Sequence, residues 1–253
     1  MHNDHPHEGG DVDFHRRANE TLCELADLVH VHFPEARELL EQEYGVTPER
    51  IYVMQHPLYG RHYGAAVGQD EARQKLGIDL EARVLLMFGY LRGYKGVRTG
   101  LESFLATKDP SLRLVVAGKP EDKDASLALQ AAAEKDTRVL LLLGHVPEAE
   151  VGRLFSAADA FLFPSKRFFT SGSLMLALTY ALPVIAAPVN HANTLVGRPF
   201  FQPWTPSTTE RLTQIMDAVD DWQRAVPAEA WEQVRSEWAA EPLARGLAER
   251  LLR

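Results

Sequence analysis

Residues 160–188, AFLFPSKRFFTSGSLMLALTYALPVIAAP, decide the fold. They read as an apolar strand (AFLFPS, 160–165), a turn of small polar residues at Thr170, Ser171, Gly172 and Ser173, an apolar helix to about residue 181, and a second strand in PVIAAP (183–188). A Ser-Gly-Ser turn that opens a helix leaves backbone N–H groups unpaired at the positive end of the helix dipole, which suits an anion such as a phosphate. A serine N-cap on a buried helix is the other reading of the same residues. The turn alone does not separate the two.

Outward from this unit, the same alternation recurs. RVLLMFGYL (83–91), RLVVAG (113–118) and RVLLLLGH (138–145) are strand candidates, and FFQPW (200–204) is a further one. Helical stretches fall at about 95–107, 121–135, 147–158 and 171–181. Strands this continuously apolar are buried on both faces, as in a parallel sheet, and alternation with helices gives a doubly wound parallel, Rossmann-like α/β domain.

A partial second α/β unit precedes it. Phe14, Ala18, Leu22 and Leu25 share one helical face, LVHVHF (28–33) alternates like a strand, and PEARELLEQEYG has Pro34 in its first turn and Gly45 past its end. ERIYVMQHP then reads as a strand ending at His56 and Pro57, with His30 and His32 on one side of the earlier strand. One βαβ unit cannot cover its own sheet, so further strands are expected before residue 1. The division expected is 1–57 for this remnant, 58–82 for a linker, 83–205 for the regular domain and 206–253 for C-terminal helices.

Composition narrows the function. With 45% hydrophobic and 25% charged residues in 253, the chain has an ample core, and its net charge of -8 argues against a nucleic-acid surface. Cys23 is the single cysteine, so neither a disulfide framework nor a thiolate metal site is expected. No apolar run approaches the roughly 20 residues that span a bilayer, and the polar start MHNDHPHEGGDVD is not a signal peptide, so a cytoplasmic location is expected.

In an open parallel sheet, ligands bind at the carboxyl ends of the strands. The residues there are Gly89, Arg92 and Lys95 after the first strand, Gly118 and Lys119 after the second, Gly144, His145 and Val146 after the third, and Thr170, Ser171, Gly172 and Ser173 after the fourth. Lys95 before Gly96 at a helix opening supplies a counter-charge where a phosphate could approach the backbone. Asp159 caps or orients a strand entry. The dinucleotide, P-loop and esterase fingerprints are all missing, which lowers redox, ATPase and esterase readings.

The order FGYLRGYKGV, LRLVVAGKP, LGHVPEAEVGRLFSAADAFLFPS, SGSLMLALTYALPVIAAP resembles the donor-binding half of GT-B glycosyltransferases of the large family-four type. Upstream, ADLVHVHFPEARELLEQEYGV and RIYVMQHPLYG are similar to the end of the acceptor-side domain, and HNDHPHE resembles an H-N-x-x-P-H-E loop of some members. The resemblance implies a UDP- or GDP-sugar as substrate, no cofactor and no catalytic metal. Lys95 and Arg92 would neutralise the diphosphate, Gly89, Gly118, Lys119 and the Thr170–Ser173 turn would bind the donor, and His145 and Val146 would seat the base. His2, Asn3, His7 and Glu8 would lie on the acceptor side, facing a hydroxyl acceptor such as a glycan or a lipid-linked sugar.

Three departures stand out. The usual arginine after the first glycine is Tyr90. The glutamates of E-G-F-G-x-x-x-x-E-A, with seven residues between them, fall on Phe168 and Leu176. The chain begins inside the first domain, so a homodimer or a membrane surface would be expected to cover the exposed sheet. A nucleotide- or sugar-phosphate-binding module that acts with a partner chain is the second reading.

Overall fold

The computed structural model describes residues 11–60, 62–205, 209–219 and 225–252. The chain's larger sheet has six strands, β3 (Arg83–Phe88), β4 (Leu112–Gly118), β5 (Val139–Leu143), β6 (Ala160–Phe163), β7 (Val184–Ala186) and β8 (Phe201–Pro203). All five pairings are parallel, in the order β5-β4-β3-β6-β7-β8. The chain winds outward from β3 to β5 and then returns to place β6 against β3, with Leu85 opposite Ala160. The order therefore reverses between β3 and β6.

Side-chain alternation builds one core on each face. Val84 and Leu86 of β3 join Phe161 and Phe163 of β6 under α6 (Glu148–Ala157) and α7 (Gly172–Thr179). Leu85 and Met87 join Ala160 and Leu162 under α4 (Val97–Leu105), α5 (Lys123–Lys135) and α8 (Thr209–Asp217). Apolar residues at successive positions thus serve opposite layers, which is why these strands lack a polar face. The FFQPW stretch contributes β8, and β5 departs from the rule. As an edge strand, β5 leaves Leu142 and Leu143 at 40% and 38% exposure, although its sequence is as apolar as that of β4.

The N-terminal unit consists of α1 (Val12–Leu25), β1 (Val29–Val31), α2 (Pro34–Tyr44) and β2 (Ile51–Val53), with β1 and β2 parallel. Asp11 caps α1 by accepting from the Phe14 N–H at 2.9 Å, and Gly45 closes α2 in the left-handed conformation at φ 62°. The apolar face of α1 is not buried. Phe14, Leu22 and Leu25 are 65%, 65% and 77% exposed, and the helix packs instead through Cys23. Among the described residues, a two-stranded sheet offers that face no surface to cover it.

A connection from residue 54 leads through α3 (Gln69–Leu76) into β3. The C-terminal helices α9 (Ala228–Glu237) and α10 (Ala240–Leu251) run back toward the N-terminal unit, with Val234 and Trp238 entering the first core and the Arg250 guanidinium reaching the Glu49 carbonyl. No helix of the described residues is long and apolar enough to cross a membrane.

Candidate functional site

A cleft of about 300 Å³ lies at the carboxyl ends of β3 and β6, where strand order reverses. Residues after β3 supply Gly89, Tyr90, Tyr94 and Lys95, and residues after β6 supply Phe168, Thr170, Ser171, Gly172 and Ser173. Gly89 takes φ 112°, turning the chain out of the strand, and a Cβ there would meet only the Ser173 side chain, at 3.8 Å. The two loops face each other across this gap.

Lys95 ends a 3₁₀ turn (Gly93–Lys95) that precedes α4. Among the described residues its ammonium has no hydrogen-bond or ion-pair partner. Burial, followed by the Arg92 charge, lowers its pKa from 10.5 to about 8, and Glu121 opposes the shift. Desolvation penalises an ammonium whose counter-charge is absent. Gly96 has a different duty from the one its sequence position suggests. At φ 74° it presses against the Pro164 carbonyl, so closely that a Cβ would overlap it, and this contact joins the two loops.

The polar turn combines both readings of its sequence. Ser171 is the N-cap of α7, its hydroxyl accepting from the Leu174 N–H at 3.4 Å and lying 3.1 Å from the Ser173 hydroxyl. It also lines the cleft. Phe168 and Leu176, the residues at the expected carboxylate positions, line it too, so the lack of carboxylates there is a property of the cleft itself.

Other expected residues lie outside this lining. Arg92 pairs with Glu121 at 3.3 Å and stands 5.7 Å from the centre of the Tyr90 ring. Lys119 pairs with the same carboxylate at 3.3 Å. These charges fasten the loop after β3 to the loop after β4, alongside the Leu91 N–H donating to the Lys119 carbonyl at 2.8 Å. Gly118, at φ 134°, packs its backbone on Gly89. His145 is exposed and Val146 rests on the first core, both at the end of the edge strand β5, two strands away from the reversal. His2, Asn3, His7 and Glu8 fall outside the described residues.

Two groups were not singled out by their sequence. Tyr59 and Tyr63 enter the cleft from the connection. His191, in a 3₁₀ segment (Asn190–Leu195), joins His32 and His56 of the N-terminal unit, with ring centres 6.2 and 6.4 Å away. His30 lies 4.6 Å from His32. Burial first, then the neighbouring His30 and His56 rings, lowers the His32 pKa to about 3, opposed by the Met54 carbonyl that the ring contacts. His30 and His56 are lowered as well, chiefly by burial. Among the described residues no group of three or more His, Cys, Asp or Glu is arranged to hold a metal ion.

Asp159 is structural. Its carboxylate accepts from the Val84 N–H at 2.6 Å, from Arg73 at 2.7 Å and from Gln69 at 3.0 Å, orienting the entry to β6.

Comparison with known proteins places these features in context. The family described as Glycosyl transferases group 1 matches residues 68–198, more than half of the chain. A GDP-mannose:glycolipid 4-beta-D-mannosyltransferase of Xanthomonas campestris pv. campestris is 34% identical over 120 residues, 47% of this chain and 34% of that protein. A D-inositol 3-phosphate glycosyltransferase of Thermobispora bispora is 31% identical over 188 residues, 70% of this chain and 44% of that one. The match therefore spans about a third to under half of these relatives' lengths. Among solved structures, Anabaena HepE in complex with UDP and glucose superposes with a TM-score of 0.84 at 19% identity, covering 99% of this chain and 70% of that one.

Proposed function

Because the chain belongs to the group 1 glycosyl transferases and has the GT-B fold, we propose that it binds a nucleotide-diphosphate sugar in the β3/β6 cleft and moves the sugar to a hydroxyl acceptor. One observation carries the reading: Lys95, without a partner among the described residues, lies with Gly89 on one side of a cleft at the strand-order reversal and faces the Thr170–Ser173 turn on the other. The diphosphate sits between the Lys95 ammonium and the first turn of α7, where the N–H groups that Ser171 does not cap and the helix dipole favour negative charge. As the bond from the sugar to the diphosphate breaks, negative charge grows on the leaving phosphate. A cation already desolvated in the cleft stabilises that charge more than it does the ground state.

In this reading residues 83–205 are the donor-binding domain, residues 1–57 belong to an acceptor-side unit, 58–82 connect them and 206–253 close the fold. Arg92 acts as the second cation, close enough to influence Lys95 while paired with Glu121. Charge neutralisation falls to these side chains, without a cofactor. The names of the relatives support the substrate classes: GDP-mannose and a glycolipid for the Xanthomonas protein, UDP for the Anabaena complex. A lipid-linked acceptor would bring the chain to a membrane surface from the cytoplasm.

The test is direct. UDP or GDP should raise the melting temperature, and incubation with UDP- or GDP-sugars and hydroxyl acceptors should release the nucleoside diphosphate. Binding without release favours a second reading, a nucleotide-binding module that works with a partner chain. The exposed Phe14, Leu22 and Leu25 of α1 are the observation behind that alternative.

A further inference from the structure

The connection between the two units does more than join them. Its backbone is fastened to the donor side at successive points. The Leu58 N–H donates to the Trp238 carbonyl at 2.9 Å, the Tyr59 N–H to the Thr179 hydroxyl at 3.2 Å, the Gly64 N–H to the Glu148 carbonyl at 2.9 Å, and the Val67 N–H to the Ser156 hydroxyl at 3.1 Å. The Tyr180 hydroxyl donates to the Gly64 carbonyl at 2.6 Å. Gly64 and Gly152 let this segment lie directly on α6, since a Cβ on either would overlap a carbonyl of the other strand of chain. The side chains it carries are therefore held in place.

Two of those side chains, Tyr59 and Tyr63, line the cleft, their rings edge to face with centres 5.2 Å apart. A Cβ on Gly172 would lie 2.6 Å from the Tyr59 hydroxyl, so that oxygen stands over the first residue of α7. Among the described residues the hydroxyl has no hydrogen-bond partner.

We propose that the Tyr59 hydroxyl is a donor-binding group that hydrogen-bonds the diphosphate of the nucleotide sugar at the first turn of α7, with Tyr63 as the positioning residue that fixes its ring. This rests on the nucleotide-sugar reading of the cleft. The hydroxyl and Lys95 reach the phosphates from two sides, one as a neutral donor and one as a charge. Burial, and then the neighbouring Tyr63, raises the Tyr59 pKa, so the group keeps its proton and donates it to a phosphate oxygen at neutral pH. A side chain at position 172 would meet the hydroxyl and displace it.

The experiment uses the full chain and isothermal titration with UDP, GDP and the corresponding nucleosides, with the ligand-free melting temperature of every variant as a folding control. Tyr59→Phe, which removes one oxygen, should bind the preferred nucleoside diphosphate about tenfold more weakly while keeping the nucleoside affinity. Tyr63→Ala should match Tyr59→Phe, because the Tyr63 ring does the positioning. Wild-type affinity in Tyr59→Phe overturns the role of the hydroxyl and leaves the donor cleft standing. An equal loss for the nucleoside puts the hydroxyl on the ribose and overturns the diphosphate contact. A wild-type chain that binds neither UDP nor GDP overturns this inference together with the reading beneath it.

Discussion

Arg73 of α3 and Asp159 at the entry to β6 form an ion pair of 2.7 Å, with side chains only 5% and 11% exposed. Arg73 also donates to the Ala157 carbonyl at 3.1 Å and the Leu80 carbonyl at 2.5 Å, so the guanidinium ties the connection to the loop before β3 and to the end of α6. Removing one partner of a buried pair strands the other charge. Asp159→Asn should therefore lower unfolding free energy by about 3–5 kcal/mol in urea titration, without changing nucleotide affinity in the chains that remain folded. A loss below about 1 kcal/mol, the scale of an exposed pair, would show that the network is not structural.

Lys95→Ala should weaken UDP or GDP binding by at least about tenfold, since a charge-assisted contact to phosphate is lost. Arg92→Ala should cost less, because Arg92 is already paired with Glu121. The reverse order would move the principal cation to Arg92.

Protonation gives Lys95 a second signature. With its pKa lowered to about 8, it is charged below that pH and neutral above it, so nucleotide affinity should decline as pH rises from 8 to 9.5. A bound diphosphate favours the ammonium, so binding near pH 8.5 should take up protons, seen as a dependence of the calorimetric heat on buffer ionisation enthalpy. The apo protein has the opposite sign. Between pH 8 and 10.5 the unfolded chain holds this proton more tightly, so stability rises with pH over that window. Lys95→Met should remove both effects.

Gly96→Ala should destabilise the chain by about 2–4 kcal/mol, combining a positive φ with overlap of the Pro164 carbonyl. Because that contact joins the loops bearing Lys95 and Ser171, nucleotide affinity should fall with it. An alanine variant of unchanged melting temperature would show that the loops do not need this approach.

The histidine group predicts acid sensitivity. His30, His32 and His56, whose pKa values burial lowers, are neutral in the fold at neutral pH, and in the unfolded chain they protonate near pH 6.5. Stability is thus fully present above 6.5 and lost as pH falls toward the folded value, about 3 for His32, at up to about 1.4 kcal/mol per pH unit for each such histidine. His32→Gln should flatten the decline between pH 6.5 and 4 in denaturant midpoints.

The alternation of apolar runs and helical faces made the sheet legible in the sequence, because a strand buried on both sides leaves a one-dimensional signature. Strand order leaves none. The chain carries cations and glycines after β3, β4 and β6 alike, and only the return of β6 to the side of β3 decides that Lys95 and Ser171 share a cleft while Lys119 and His145 do not. Leu142 and Leu143 show the same limit, since edge and centre are spelled alike. Tyr59, Tyr63 and His191 were hidden for a related reason. Each lies in a segment without periodicity; the tyrosines reach the cleft only when the connection folds onto α6 and α7, and His191 meets its neighbours only when the N-terminal unit packs beside it. The exposure of the apolar face of α1 was not legible, because amphipathicity records what a helix can cover, and not whether a cover is present.

The clamping of Gly64 against α6 also determines how the molecule can flex. Leu58, Tyr59, Gly64 and Val67 are hydrogen-bonded to the donor side, and the Met54 N–H still belongs to the small sheet through the Val31 carbonyl at 2.9 Å. Only Gln55, His56 and Pro57 remain between the two attachments, and the return path bends at Trp238 and Ala239 between α9 and α10. Any opening of one unit relative to the other must turn on an axis through these two short crossings. The tyrosines would then travel with the donor side as the jaws part, and the His191 side chain, 3.3 Å from Gln55, would mark the pivot.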